Sequence, residues 1–124
     1  CLALILMLDQ FTRNIFRYSA RAFSGDDMAL ALSLRCIERK YLDAYKPSSC
    51  HFMLMPMMHS EDIGIQEMSL PLFEQYTSKS TYEYAVKHRN IIARFGRFPH
   101  RNAMLGRPSS SNEDQFVTQP GSSF

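Results

Sequence analysis

Apolar residues of this chain recur at helical spacing, and no segment alternates strictly between apolar and polar residues. In the first segment, for example, Leu4, Leu8 and Phe11 fall close to one helical face. Strict alternation and Asn-Gly or Asp-Gly turns are typical of β-hairpins, and the chain has neither. The sequence therefore predicts an all-α fold of antiparallel helical hairpins joined by short loops.

Residues typical of helix ends divide the chain into segments. Ser60 and the stretch Ser80–Glu83 have the composition of helix starts, the second as a capping box, and Gly96 is typical of a helix end. Pro56 is expected to kink its helix or end it early, and Pro71 to kink its own. We therefore predict helices at residues 2–18, 27–42, 50–58, 60–76 and 80–95, a short helical stretch within 97–106, a last helix at 111–118 and a polar tail at 119–124.

Length, charge and cysteine content limit the classes of protein. A chain of 124 residues with 45% apolar residues is expected to form one globular domain over residues 1–124. Its net charge of +2 is too small to indicate a nucleic-acid or membrane partner. Three cysteines without metal-site spacing favour a cytoplasmic location and predict no zinc site. We expect no metal and no cofactor.

The opening run, residues 1–8, is apolar on every side but far shorter than a membrane span of roughly 20 residues. It continues without a break into the polar residues Asp9 and Gln10. We interpret it as a buried helix entered partway along. An N-terminal helical layer is then expected to be missing, with hydrophobic surface exposed where that layer belongs.

Three stretches are more polar than a plain helical core requires, namely residues 9–17, 58–62 and 88–107. From Lys87 to Arg107 there are six basic residues and no acidic one. These stretches define a candidate polar cluster. Its candidate catalytic residues are His59, His100 and Glu61, and its candidate ligand-binding residues are Asp9, Arg13, Arg17, Arg94, Arg97, Arg101 and Asn102.

The basic region has three interpretations. Its arginines can pair with acids such as Asp9, Glu61 and Asp62 in a structural ion-pair network. They can instead bind a phosphate or carboxylate through bidentate contacts. A nucleic-acid surface, with Phe95 and Phe98 stacking on bases, is the least favoured, because the basic run is short and the net charge is low.

A metal site is also conceivable from the residue types. His59, Glu61 and Asp62, completed by His88 and His100, would offer ligands for a metal-dependent hydrolase. No diagnostic spacing such as HExxH occurs, and the surrounding arginines repel a divalent cation. We favour the simpler interpretation, in which the two acids complement the dipole of a capped helix start.

At the same polar stretches the sequence resembles a family known as domain of unknown function 924, found mainly in bacteria. The matching strings, in the family's order, are LDQFTRNIFR (residues 8–17), ARAF (20–23), MPMMHSED (55–62), HRNIIARFGRFPHRNAMLGR (88–107) and PGSSF (120–124). The resemblance implies a tetratricopeptide-like, right-handed array of helices and no established activity. The chain departs from the family at Thr12, where proline is common, at Pro71, and in lacking an N-terminal Trp-Phe segment.

The sequence is compatible with two main classes of function. The first is a small anionic ligand or substrate bound by the arginines, with His59 or His100 as a proton-transfer group. The alternative is a tetratricopeptide-like module that binds a peptide or protein partner, with the Met-rich residues 53–58 forming its groove. The metal-dependent hydrolase is a second alternative. No nucleophile motif or phosphate-binding glycine loop occurs, so the sequence leaves open whether the chain is an enzyme.

Overall fold

The computed structural model describes residues 2–120, and every regular element in that range is helical, which confirms the all-α prediction. The α-helices are α1 (Leu2–Ile5), α2 (Thr12–Ile15), α3 (Asp26–Glu38), α4 (Pro47–Met58), α5 (Ile63–Tyr76), α6 (Lys79–Phe95), α7 (Asn102–Leu105) and α8 (Ser111–Val117). A π-helical segment, Leu6–Phe11, joins α1 to α2, and 3₁₀ turns occupy Ala20–Phe23, Tyr41–Asp43 and Pro99–Arg101. Cys1 and residues 121–124 of the predicted polar tail lie outside the described residues. None of the helices described is both long and apolar enough to cross a membrane.

Helices α3 to α6 form the main core. Successive helices contact one another, and the short connections from α4 to α5 and from α5 to α6 make these neighbours antiparallel. Met53, Leu54 and Met57 of α4 are buried against Phe73 of α5 and Ala85 of α6. Most of the Met-rich run therefore fills the core, where the flexible thioether side chains follow an irregular space.

Proline sets the start of α4 but does not shorten it. The helix begins at Pro47, three residues earlier than predicted, because proline suits the first helical turn, where its missing N–H would have no partner. Pro56 lies inside the helix and is buried, and the helix ends two residues later at Met58, where the sequence pattern placed its end.

The first helix, residues 2–15, contains the π-helical segment and does not bury the apolar face that the spacing predicts. Leu4 is 44% exposed and Ile15 is 71% exposed, whereas Ile5 and Asp9 are buried. Both the N–H and the hydroxyl of Thr12 donate to the carbonyl of Met7, five residues earlier. This wider turn changes which side chains face α3 and α4, and π segments of this kind are frequent at functional sites.

Two predicted helix starts are displaced by two residues. The cap of α5 is Asp62, whose Oδ1 accepts the N–H of Gly64 at 2.8 Å, so the prediction of Ser60 is wrong. The cap of α6 is Ser78, which accepts the N–H of Thr81, so the predicted capping box at Ser80–Glu83 is also wrong. A capping residue needs extended backbone, which Asp62 and Ser78 have.

Other helix ends follow the sequence more closely. Gly96 ends α6 with a φ of 73°, as predicted, because the left-handed conformation carries no steric penalty for glycine. A capping box does occur at the start of α8, where Ser110 and Glu113 bond each other's backbone N–H. Helix α8 begins at Ser111, where the sequence predicts its start, and ends at Val117.

A close contact fixes the first helix against the start of α3. A Cβ added to Gly25 would lie 2.3 Å from the carbonyl oxygen of Leu8. Only glycine allows the two backbones to approach this closely. The contact places Asp26, the first residue of α3, beside Arg13 of α2, and this pair belongs to the site described next.

Candidate functional site

A cavity of about 1070 Å³ lies between α4 and α6. The two helices run parallel along it: Nδ1 of His51 is 3.2 Å from Oγ1 of Thr81 near their starts, and the rings of His59 and His88 are 6.3 Å apart farther along. The first helix and the residues around α7 supply the remaining walls. The lining residues are Gln10, Arg13, Asn14, Arg17, Tyr18, Ala22, Phe23, His51, Met55, Met58, His59, Ser80, Thr81, Tyr84, Lys87, His88, His100, Ala103 and Met104.

The polar part of this lining is cationic or neutral. It contains Arg13, Arg17 and Lys87 together with four histidines, and no aspartate or glutamate is among the lining residues described. Met55, Met58 and Tyr84 contribute apolar surface to the lining. A concave site with an apolar body and a few polar groups is typical of small-molecule binding sites.

Asp9 and His59 form a buried pair at the wall of the cavity. Asp9 is 1% exposed, and its Oδ1 lies 2.7 Å from Nδ1 of His59. Burial by itself raises the pKa of Asp9, but the hydrogen bond and charge of His59 and the charge of Arg13 outweigh it, so the pKa is lowered. Burial lowers the pKa of His59. An ionised carboxylate therefore accepts the Nδ1–H of a neutral imidazole, whose Nε2 keeps its lone pair.

Arg13 connects this pair to the start of α3. Its Nη1 lies 3.1 Å from Oδ1 of Asp9, as the i, i+4 spacing predicts. Its two terminal nitrogens also bind both oxygens of Asp26, at 2.8 and 3.0 Å. Two carboxylates thus neutralise the charge of Arg13, and only the pairing with Asp9 is predictable from helical spacing.

Arg101 is buried behind the cavity. Its guanidinium lies over the rings of Phe23 and Phe98, at 4.5 and 4.7 Å from their centroids, and donates to the backbone carbonyl of His59 at 3.0 Å. Burial and the nearby charge of Arg13 lower the pKa of Arg101 to about 10. Arg101 therefore positions the end of α4 and is not among the residues that line the cavity.

Glu61 ties the start of α5 to the segment after α6. Arg107 donates to its two carboxylate oxygens at 2.8 and 3.2 Å, and the N–H of Phe98 donates to one of them. Burial raises the pKa of Glu61, but these contacts outweigh it and lower the pKa below its usual value. Glu61 is engaged in this structural contact and does not line the cavity.

Arg97 and Asn102 belong to a second polar cluster at the start of α8. Arg97 binds both oxygens of Glu113 at 2.9 Å, and Nδ2 of Asn102 donates to Oγ of Ser109 at 2.9 Å. The hydrogen bond from Arg97 lowers the pKa of Glu113. Arg94 is exposed, with its guanidinium 4.6 Å from the ring centroid of Phe95. These three predicted ligand-binding residues lie outside the cavity.

Two further cavity histidines are kept neutral by burial. Nδ1 of His88 donates to the carbonyl of Tyr84 at 2.7 Å. Burial, opposed by that carbonyl and helped by the charge of Arg101, lowers the pKa of His88 to about 4. Burial and the charge of Arg101 likewise lower the pKa of His100 to about 4. At neutral pH neither imidazole carries a proton on both nitrogens.

The structure thus brings only part of the predicted cluster to the cavity. Arg13, Arg17, His59 and His100 line the cavity, with Asp9 directly behind His59. Lys87 lines it too and was missed as a site residue. A signal was present, because Thr81, Tyr84 and His88 recur on one face of α6, and Lys87 is adjacent to that face.

The ligands that the sequence offered for a metal do not come together. Across the range 2–120, no three His, Cys, Asp or Glu side chains are arranged to hold a metal ion. Glu61 is bound by Arg107, and Asp62 caps α5. The histidines of the cavity are therefore separated from the two acids with which they would form a ligand set.

The fold and the site define a small all-α protein in which a cationic cavity adjoins a buried aspartate–histidine pair. The chain matches the family described as bacterial protein of unknown function (DUF924) over residues 1–121, and it belongs to that family. The solved structure of a protein of unknown function from Agrobacterium tumefaciens is similar, at 37% sequence identity and a TM-score of 0.89. The similarity covers 94% of this chain, which spans 65% of the length of that protein. No curated protein matches the chain.

Proposed function

We propose that the chain binds a small anionic ligand in the cavity between α4 and α6. The observation that carries this proposal is the lining itself, in which Arg13, Arg17 and Lys87 occur without any described acidic residue. Positive groups on a partly enclosed wall concentrate anions and repel cations. The site is large enough for a metabolite-sized molecule.

The charges within the lining favour a dianion. Arg13 is already neutralised by Asp9 and Asp26. Arg17 and Lys87 are exposed and have no ion-pair partner within residues 2–120. Two unneutralised positive charges match a phosphate dianion better than a single carboxylate.

His59 is the proton-transfer group of this proposal. Its Nδ1 is held by Asp9, so the ring has one orientation and one tautomer. A neutral imidazole in a cationic cavity can accept a proton from a bound anion or from water. We rank His59 first because its hydrogen bond to Asp9 fixes the ring, and His100, which also lines the cavity, is the second candidate.

A thermal-shift titration with inorganic phosphate tests the proposal. Phosphate at about 100 times its dissociation constant should raise the stability of the full chain by about 2.7 kcal/mol through linkage. Chloride at the same ionic strength gives the baseline for general screening. Arg17→Gln and Lys87→Gln should each reduce the phosphate shift, because each removes an unneutralised positive charge from the lining.

Arg39→Gln is the matched control, since Arg39 is exposed and does not line the cavity. Its phosphate shift should equal that of the wild type. If wild type and all three variants respond alike, phosphate acts through general exclusion from the protein surface, and the cavity is not an anion site.

The alternative of an interaction module has less support. Its expected groove is the Met-rich segment, but Met53 and Met57 lie in the core, and Met55 and Met58 line the cavity assigned above to a small ligand. The tetratricopeptide-like arrangement stays a prediction from the family resemblance. A cytoplasmic location also stays a prediction, with which the free thiols of Cys36 and Cys50 agree.

A further inference from the structure

We infer that the cavity is a site of phosphoryl transfer, in which Nε2 of His59 accepts the phosphoryl group of a phosphate-bearing substrate. This inference rests on the anion-binding function proposed above and names its substrate class and its reacting atom. It stands on three observations: the orientation of the His59 ring on the cavity wall, the carboxylate that contacts its Nδ1, and the two cations, Arg17 and Lys87, that line the same cavity.

The first observation concerns the orientation of the imidazole. Nδ1 of His59 is 2.7 Å from a carboxylate oxygen that is itself almost completely buried. Nε2 is the ring nitrogen that Asp9 does not contact, and the side chain, which is 13% exposed, is among the residues that line the cavity. A nucleophile needs an available lone pair directed at the substrate, and a carboxylate behind Nδ1–H supplies that orientation.

The second observation separates His59 from its neighbours. His51 contacts a hydroxyl group, that of Thr81, and His88 donates to a backbone carbonyl. The contact of His59 is with a carboxylate, which carries a full negative charge. When Nε2 of a histidine bonds to phosphorus, the ring becomes positive, and a carboxylate on Nδ1–H stabilises that charge most strongly. Asp9 provides this stabilisation for His59.

The third observation concerns the phosphoryl oxygens. Arg17 and Lys87 line the same cavity without acidic partners in the described range, and they can bind the oxygens whose charge spreads during transfer. Arg13 also lines the cavity, but its charge is neutralised by Asp9 and Asp26, so the charge available to the phosphoryl oxygens comes from Arg17 and Lys87. The cavity thus contains both an oriented nucleophile and charges complementary to the transferred group.

Transfer of the phosphoryl group to His59 and its hydrolysis require only the substrate and water. The lone pair of Nε2 attacks phosphorus, the P–O bond to the substrate alcohol breaks, and the leaving oxygen takes a proton from solvent water. The Nδ1–H proton stays on the ring, bonded to Asp9. Water then attacks phosphorus, the P–N bond breaks, the lone pair returns to Nε2, and phosphate leaves with a proton released to solvent.

Phosphoramidate is a suitable probe, because it transfers its phosphoryl group to imidazole and releases ammonia. The full chain is incubated with it, digested at alkaline pH, where phosphohistidine survives, and analysed by mass spectrometry. We expect one phosphoryl group on His59, labelled faster than His51, His88 or His100, and slowed by inorganic phosphate. His59→Ala should lose this label, and Asp9→Asn should slow it at least about tenfold because the tautomer is no longer fixed.

Asp27→Asn is the matched control for Asp9→Asn, since Asp27 is exposed and lies outside the cavity. If the buried variants fail to fold, Arg17→Gln and Lys87→Gln at exposed positions should still slow labelling of His59 several-fold. Equal labelling of all four histidines, or no labelling of His59, overturns the inference. If His59 is not labelled but phosphate stabilises the chain through Arg17 and Lys87, the anion-binding proposal stands and only phosphoryl transfer is wrong. If phosphate does not stabilise the chain either, both proposals are wrong.

Discussion

Lowering the pH from about 7.5 to about 5 should destabilise this protein through its buried histidines. Burial lowers the pKa of both His88 and His100 from 6.5 to about 4. At a pH between these two values, both histidines are mostly protonated in the unfolded chain and mostly neutral in the folded chain. Stability is therefore fully present above pH 6.5 and is lost progressively as the pH falls towards 4.

The linkage relation gives the magnitude. At pH 5 an unfolded histidine with a pKa of about 6.5 is mostly protonated, whereas a folded one with a pKa of about 4 is mostly neutral, which amounts to about 2 kcal/mol for each residue. His88 and His100 together should contribute about 4 kcal/mol, a large part of the stability of a small domain. Asp9 and Glu61 also have lowered pKa values, but they lose their contribution only at more acidic pH.

Urea unfolding followed by far-UV circular dichroism measures this effect at about pH 7.5, 6 and 5. His88→Gln removes one titrating group while keeping a donor for the carbonyl of Tyr84. The slope of stability against pH should then fall by up to about 1.4 kcal/mol per pH unit. A wild-type stability that stays constant between pH 7.5 and 5, or a variant with the wild-type slope, would show that these histidines titrate normally and that the cavity wall is hydrated.

Three substitutions test other parts of the structure. Ser78→Ala should lower the free energy of unfolding by about 1 kcal/mol, because it removes the cap of α6, whereas Ser80→Ala should lower it much less. Chemical unfolding measures both, and the reverse order would show that the cap is at Ser80. Gly25→Ala should destabilise the protein by about 1–3 kcal/mol, because its Cβ would lie 2.3 Å from the carbonyl oxygen of Leu8. Gly64→Ala is the control and should destabilise it less, because the nearest atom there is a side-chain oxygen at 3.2 Å. Arg97→Lys should lower the melting temperature, because it weakens the bidentate contact with Glu113. The rise in melting temperature that phosphate causes should stay unchanged. If that rise is lost, Arg97 belongs to the ligand site.

The family resemblance and the helical class could both be predicted from the sequence. The ends of α4 at Met58, α5 at Tyr76 and α6 at Phe95 lie where the pattern placed them. These features depend on helical periodicity and on residues such as Gly96, whose effect on the backbone is local. Helix starts were less predictable, because several neighbouring serines and acids are each suitable capping residues. The structure has Asp62 and Ser78 as the caps of α5 and α6.

The site could be predicted in its residue types but only partly in its arrangement. The sequence marked His59 and Arg13 as site residues, and both line the cavity. It also marked Arg97, which instead binds Glu113, 16 residues away. An arginine-rich chain with many acids allows numerous pairings, and local spacing decides only those within one helical turn, such as Asp9 with Arg13.

The sequence by itself determined that this protein is helical, roughly where its helices end, and which polar residues it has for a site. The tertiary structure alone decided which of them meet. The hydrogen bond between Asp9 and His59 joins residues 50 positions apart, and it forms because the π-helical segment directs Asp9 inwards while the close contact at Gly25 brings the first helix against α3. Local propensity cannot specify such a pairing, because it depends on how whole helices pack around a shared interior.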